Sequence, residues 1–462
     1  MKLLSGALTV DVALIGGGGA SYPGAFELAR AGLRVALVDD REFLGGECLH
    51  SGCVPSKALR EWALKVDEAV SIGAKVDPDE VWRRAVDAKD RVQSQVFSQL
   101  KWMAEQLSER LTVLRGWATI VSDRELRVRT QEGELTVNFR YLHIGAGSVN
   151  VVPRIPGAEL CMTSDDLYTY MRTPRELPDS VAIVGGGYIG VEAAEVLSRF
   201  GVKVTLVEMM DRLLPNMPMD LSRAALRALQ RRGVDVRLGY AASSVERRGQ
   251  AKVLRATSRD GGSIEVRADE VIMAVGRRPR LEGYGLEVLG LDVGPGIKVS
   301  PGMRTSRENV FAAGDVTGKA MLYHAAVRGS LVAARNILVG REAYRMSYLD
   351  VPSVVYTVPE MGYVGYTEEE LRAMGVKFDV IRYSMKANSY TLMLGHQDSW
   401  VKVLVDEPGR VLGAQAFAPE AHAILTAFAM AMGSGLDAER LYWLAPPHPS
   451  PMEVLAEAFR QA

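Results

Sequence analysis

Hydrophobic positions along the chain fall into one order that occurs twice. From Val10 to Asp39 an apolar run (VDVALIG) leads into a glycine-rich turn (GGGGAS), then a helical pattern ending near ARAGL, then a second apolar run (RVALVDD). From Val181 to Glu208 the order returns as VAIVG, GGGYIG, EAAEVLSRFG and VKVTLVE. Short apolar runs bounded by glycine read as buried strands, and the stretch between them as a helix, so each segment is one strand–helix–strand unit. Each is followed much later by a strand-like run ending in glycine, RYLHIGAGS at 140–148 and EVIMAVGRRP at 270–279. The shared opening and closing point to a duplicated domain, with the second copy inserted into the first. Between them Val92, Val96, Leu100, Met103 and Leu107 step by three and four residues, which predicts a helix whose stripe packs in the core. After Tyr348 the pattern changes to strands (VVYTV, WVKVLVD, RVLGAQAFA), an uncharged helical run from Ala423 to Leu436 and a proline-rich tail. This predicts a separate C-terminal α+β domain beginning near Leu349.

Composition agrees with an α/β protein of several domains. With 462 residues, 48% hydrophobic and 24% charged, the chain has ample length for a large core, and 45 glycines against 7% aromatics suit many tight strand-to-helix turns. A net charge of -1 gives no electrostatic reason to expect nucleic acid or an anionic membrane surface as a partner. The Ala423–Leu436 run is too short to span a bilayer. The N-terminal MKLLSGALTV leads straight into the glycine turn with no A-x-A-like cleavage site, so no signal peptide and a cytoplasmic location are expected. Three cysteines do not make a disulfide-stapled scaffold. Cys48 and Cys53 lie close together and call for a redox or a metal explanation, whereas Cys161 is expected to have no role.

The glycine turns carry the first chemistry. In the second copy Gly185, Gly187 and Gly190 supply the tight turn, the close backbone approach to a pyrophosphate and the helix–strand packing of a dinucleotide site. The helix N-terminus that follows presents free N–H groups to phosphate. Glu208 ends the next strand, where a carboxylate accepts hydrogen bonds from ribose hydroxyls and repels a 2′-phosphate. Met209 and Met210 offer no arginine to receive that phosphate, so NADH is expected over NADPH. The first copy keeps Gly16, Gly18 and the terminal acid Asp39, but has Ser21 at the third glycine position and Pro23 in the first helical turn. Serine is small, and proline there removes only an N–H without an intrahelical partner.

The stretch Gly45–Leu59 reads GGECLHSGCVPSKAL. Two glycines, a cysteine, four residues, a second cysteine and then x-Pro-x-Lys resemble the class I pyridine nucleotide–disulfide oxidoreductases. AAGD at 312–315, VGRRP at 275–279 and His448-Pro449 extend the resemblance over essentially the whole chain. His50 and Ser51 replace residues of the common LNVG variant, and Ala146 in GAGS replaces a threonine. In a regular helix, Cα atoms five residues apart are about 8–9 Å from each other, beyond the ~7 Å a disulfide bridges, so the backbone here must leave the helix, and Gly52 is placed to allow it. No second Cys or His pair offers the further ligands a zinc site needs, so no metal is expected.

The resemblance implies a fold of two Rossmann-like domains, for FAD and NAD, with a C-terminal α+β dimerisation domain. The boundaries expected are 1–147 for the FAD domain, 148–275 for the NAD domain, 276–348 completing the FAD domain and 349–462 for dimerisation. It implies a redox disulfide in which Cys48 exchanges with substrate and Cys53 lies against the flavin. Lys57 would stabilise reduced flavin and pair with Glu192, which could otherwise be a solvated helix-start acid. Asp315, beside Gly314, would bind the flavin ribitol, and Gly46, Ala118, Gly147, Ala325 and Gly276 complete the expected cofactor positions. His448, oriented by Glu453, would act as acid and base on the disulfide of the other subunit of a homodimer. His143, His324, His396 and His422 are expected to be structural or at the surface, with His324 also a candidate for the flavin pocket. The pattern fits oxidation of dihydrolipoamide by NAD best, with a lipoyl domain of a 2-oxoacid dehydrogenase complex as the partner this reading offers. An NADH-dependent diaphorase or quinone reductase, a related disulfide or mercuric reductase, and a non-catalytic redox sensor are the other readings.

Overall fold

The structure is a computed structural model and describes residues 6–461. Strand Gly6–Ile15 runs parallel to Val35–Asp39 on one side and to Gly133–Ile144 on the other. Val35–Asp39 continues into a parallel pairing with Leu111–Ser122, which turns antiparallel onto Glu125–Thr130. The sheet is completed by Val310–Ala312, parallel to Gly133–Ile144, long after the chain has left and returned. Val35 to Val38 are all buried, as expected for a parallel sheet covered on both faces.

The second sheet is contiguous in sequence and wholly parallel, in the order Asp235–Leu238, Lys203–Glu208, Ser180–Val184, Glu270–Met273 and Met162–Thr163. The chain crosses between the two sheets twice, and the crossings, Ser148–Asn150 and Arg277–Pro279, pair antiparallel with each other. A third unit is a five-stranded antiparallel sheet, from Ser353–Val355 to Val411–Ala418, covered by helix Ala421–Ser434. That helix buries Ile424, Leu425 and Phe428 but leaves Met430 67% exposed, so only one face of the expected apolar helix is core. No helix among the described residues is long and apolar enough to cross a membrane.

Two long helices, Cys53–Ser71 and Pro78–Glu105, stand between the sheets as a hairpin. The second starts cleanly because Pro78 needs no N–H partner there and the Asp77 side chain accepts from the N–H groups of Asp79 and Glu80. Its buried face is Trp82, Ala85, Val86, Lys89, Gln93, Phe97, Leu100 and Ala104. This corrects the expected core stripe: Leu100 is core, but Val92 is 40% exposed and Val96 only half-buried. The core face includes polar Lys89 and Gln93, whose amino groups are satisfied by the carbonyls of Thr169 (3.2 Å) and of Leu49 and His50 (2.8 and 2.9 Å).

Candidate active site

A cleft of about 2120 Å³ opens between the first and second sheets and collects the ends of both glycine turns. In the first turn a Cβ at Gly16 would overlap the carbonyl of Gly145, and one at Gly46 would lie 2.6 Å from Gly18 Cα. In the second, a Cβ at Gly185 would overlap the carbonyl of Ala274. Backbone thus meets backbone where a pyrophosphate needs bare N–H groups, and the cradle fits a dinucleotide in each unit. Asp39 accepts the N–H of Gly17 on one oxygen and that of Arg41 (2.7 Å) on the other. Glu208 does the same with Gly186 (2.5 Å) and Met210 (2.7 Å). Ala118, Gly147, Gly187, Gly276 and Asp315 also line the cleft.

Other expected cofactor positions support the cradle from behind. Ser21 is fully buried, and a Cβ at Gly145 would overlap its hydroxyl. Gly190 packs on Gly185, and Gly314, at φ +72°, on Ala20. Ala325 has its side chain buried in the core, between residues Tyr323, His324 and Ala326 that line the cleft.

The cysteine segment breaks as the spacing requires. A short helix, Gly46–His50, ends at Ser51, and a new one begins at Cys53. A Cβ on Gly52 would come within 3.0 Å of Glu47 O and 3.2 Å of Cys48 Cα, so glycine lets the second helix fold back onto the first. Cys48 and Cys53 are not joined in a disulfide here. Hydrogen bonding from Cys48 lowers the pKa of Cys53, burial opposes it, and the Lys57 ammonium lowers it further. Hydrogen bonding to Cys53, then burial, then the neighbouring Cys53 charge hold Cys48 far above the usual thiol range. The first proton of the pair therefore leaves from Cys53.

Lys57 Nζ lies 2.5 Å from Glu192 Oε2 and 4.7 Å above the centre of the Tyr356 ring. The other Glu192 oxygen accepts the Tyr356 N–H at 2.9 Å, and the side chain is only 13% exposed, so Glu192 is no solvated helix-start acid. Burial works against the Lys57 charge, but Glu192 outweighs it and raises the lysine pKa. The departures between the cysteines also have partners. The Ser51 hydroxyl donates to Glu47 (2.8 Å), while His50 donates to the Phe43 carbonyl (2.8 Å) and rests against Phe97. Glu47 bridges Arg41 (2.6 Å) and Arg277 (3.1 Å). Burial pushes its carboxyl up, but the two guanidiniums dominate and bring it down to about 2. Arg277 also donates to the Ser148 hydroxyl (2.9 Å), which donates to Asp315 (2.6 Å).

His448 and Glu453 form a pair, Nδ1 to Oε1 at 2.8 Å, with the imidazole 68% exposed. Burial raises the Glu453 pKa, but the His448 bond and the Ser450 N–H bring it below the usual carboxylate range. Neither residue lines the cleft, so one chain does not bring this pair to its own sulfurs. His143 is buried and donates to Ala20 O (2.6 Å), with burial pushing its pKa down to about 4. His324 lines the cleft and donates to Pro352 O (2.9 Å). His422 also reaches the cleft, paired at 2.6 Å with Glu360. Cys161 packs beside the second sheet, and burial raises its pKa to about 11. Sequence reasoning missed Gly145, Glu47, Tyr323, Tyr356 and the Glu360–His422 pair. Glu47, next to Cys48, and Gly145, in the closing GAGS run, carried a local signal.

The interleaved dinucleotide folds and the cysteine pair between them define a flavoprotein disulfide oxidoreductase, and the chain belongs to the pyridine nucleotide-disulphide oxidoreductase family. Residues 10–330 match that family, and residues 351–459 match its dimerisation domain, which supports a homodimer. The chain is 33% identical to the dihydrolipoyl dehydrogenase of Halobacterium salinarum, over 98% of this chain and 96% of that protein. It is also 33% identical to the dihydrolipoyl dehydrogenase of Thermus scotoductus, over 97% and 96%. Among solved structures it resembles the Cu(II) complex of the HOCl-induced flavoprotein disulfide reductase RclA from Escherichia coli. The TM-score is 0.86 at 27% identity, covering 98% of this chain and 99% of that one. The enzyme uses FAD and NAD(H) and acts on sulfur groups.

Proposed function

We propose that this enzyme oxidises dihydrolipoamide with NAD, through a disulfide of Cys48 and Cys53. The observation that carries the reading is an apolar groove of about 660 Å³ with both cysteines in its wall. Trp62, Val92, Val96 and Leu100 line it, and among its described lining residues only Lys57, Glu61 and Lys65 are charged. A dithiol on a neutral alkyl arm matches that surface, whereas glutathione disulfide would bring more carboxylates and ammoniums than these few side chains can pair. The arm of a lipoyl domain, as in a 2-oxoacid dehydrogenase complex, is the natural form of this substrate. A cytoplasmic location accompanies the reading, because a reducing compartment suits a cycling dithiol. The division at 147, 275 and 348 belongs to the same proposal.

FAD, when bound, supplies two-electron transfer between the thiol pair and the nicotinamide. A substrate thiolate attacks Cys48 of the disulfide and releases Cys53 as thiolate. The second substrate sulfur then displaces Cys48, and lipoamide leaves. Of the two protons lost by the dithiol, one stays on Cys48 and the partner's His448 accepts the other, its tautomer fixed by Glu453. Lys57 stabilises the Cys53 thiolate and is itself oriented by Glu192. Glu208 selects NAD by receiving the ribose hydroxyls.

The test is steady-state turnover of the holoenzyme with dihydrolipoamide and NAD against glutathione disulfide or mercuric ion and NADH. Dihydrolipoamide should win by at least about a hundredfold in kcat/KM. Equal or better use of either alternative refutes the substrate reading. Mixing Cys48→Ser and His448→Ala subunits should restore about a quarter of the activity if the site is shared, since half the random dimers carry one intact site. No recovery after verified exchange removes the shared site.

A further inference from the structure

We propose that the ring of Tyr323 is a partition between the apolar groove and the flavin cleft, leaving the two sulfurs as the electron path between them. Five residues line both cavities: Gly45, Cys48, Cys53, Lys57 and Tyr323. Gly45 has no side chain, Cys48 and Cys53 are the redox pair, and Lys57 is held by Glu192. Tyr323 is the remaining side chain at the boundary, and the disulfide chemistry gives it no task.

Its position is tightly determined. A Cβ on Gly19 would lie 2.7 Å from Tyr323 Cε2 and 2.8 Å from Cδ2, so the ring is seated on the glycine loop. At its far end, the hydroxyl meets that of Tyr22 at 2.5 Å. The two phenols open helices Tyr22–Arg30 and Tyr323–Val339, which pack closely enough for the Gly24 N–H to donate to the Ser330 hydroxyl at 3.0 Å. The ring is thus held on its Cδ2–Cε2 side by Gly19, at its tip by Tyr22, and at its base by a packed helix. Burial, then the Tyr22 bond, keep the phenol protonated.

A wall at this place has a chemical consequence. Reduced flavin reacts readily with small acceptors that reach it, and excluding them prevents that side reaction. Without the ring, a small quinone in the groove gains an approach to the flavin that bypasses the sulfurs. NADH is then oxidised to NAD and the quinone reduced to hydroquinone. Two electrons pass, and the hydride hydrogen and one solvent proton end as the two hydroquinone O–H groups. This inference rests on FAD in the cleft and does not depend on which dithiol is the substrate.

The experiment compares FAD-loaded wild type with Tyr323→Ala and Tyr323→Phe. The first readout is acrylamide quenching of flavin fluorescence with NAD saturating, so that the nicotinamide side is covered. The second is NADH-dependent reduction of duroquinone, whose methylated ring does not alkylate thiols. Tyr323→Ala should raise the quenching constant by at least about twofold and the quinone rate by about fivefold. Tyr323→Phe keeps the ring on Gly19 and should stay within about twofold of wild type in both. If the alanine variant does not retain FAD, Tyr323→Val takes its place with the same expected outcomes. Wild-type quenching and quinone rates in the truncated variant overturn the proposal. A phenylalanine variant as leaky as the alanine one also overturns it, because the ring would still be present.

Discussion

The two dinucleotide units close their glycine turns with different side chains. In the second unit a Cβ on Gly190 would overlap the carbonyl of Gly185, and Ala274 follows the closing strand. In the first, Ser21 precedes the helix and Gly145 follows the closing strand, where any Cβ would overlap the serine hydroxyl. The units also differ just beyond the strand acid. Arg41 follows Asp39 and ties the first loop to Glu47 and the cysteine segment, while Met209 and Met210 follow Glu208 and stand 58% and 39% exposed. The first unit is cross-braced around its ligand and the second is open at the rim. That difference suits a resident cofactor in one and an exchanging one in the other.

The largest effect should come from the element that only the first unit carries. Cys48→Ser should reduce disulfide turnover by at least about a thousandfold while leaving FAD content and NADH binding intact. Substantial dihydrolipoamide turnover by that variant would refute the dithiol route. Next comes the contact between Ser21 and Gly145. Gly145→Ala should lower unfolding stability by about 1–3 kcal/mol through overpacking against Ser21, and adding Ser21→Gly should recover most of it. A double-mutant cycle of denaturation midpoints with no coupling would break the comparison. At the open rim, Glu208→Ala should narrow the NADH over NADPH preference by about tenfold, or ~1.4 kcal/mol, in kcat/KM. An unchanged ratio would remove Glu208 as the selector. The smallest effect concerns protonation. The Cys53 pKa is lowered, so its thiolate is present above that pKa and lost as pH falls through it. Lys57→Met removes a nearby cation and should raise the midpoint of thiolate loss, followed by absorbance of the reduced holoenzyme, by about one pH unit. A midpoint that stays put or falls would assign the low pKa to the Cys48 hydrogen bond alone.

What the sequence makes legible is what lies within one contiguous unit. The glycine turns, their strand acids and the break at Gly52 are each set by residues close together in the chain. Ser21 reads as a weakened motif, because the glycine that complements it arrives on a strand far downstream. The Val92–Val96 stripe reads as core because periodicity counts apolar residues alone. In the 28-residue helix that carries it, the buried face includes Lys89 and Gln93, whose N–H groups donate to carbonyls that no local pattern reveals. That choice frees Val92 and Val96 for the groove. Glu192 is ambiguous in sequence for the same reason, since both of its partners come from other units.

The interleaved order of the sheets also sets a timetable for synthesis. The second sheet, Met162 to Met273, is complete in one uninterrupted stretch and can close as soon as that stretch has emerged from the ribosome. The first sheet begins earlier but waits for Val310–Ala312 to pair with Leu142–Ile144. Asp315, tied to Ser148, follows only after that strand. The nascent chain therefore finishes its second dinucleotide unit before its first. Cofactor capture by the first unit becomes a late event, and a truncation before Val310 would leave the glycine loop and both cysteines on a sheet without its closing edge.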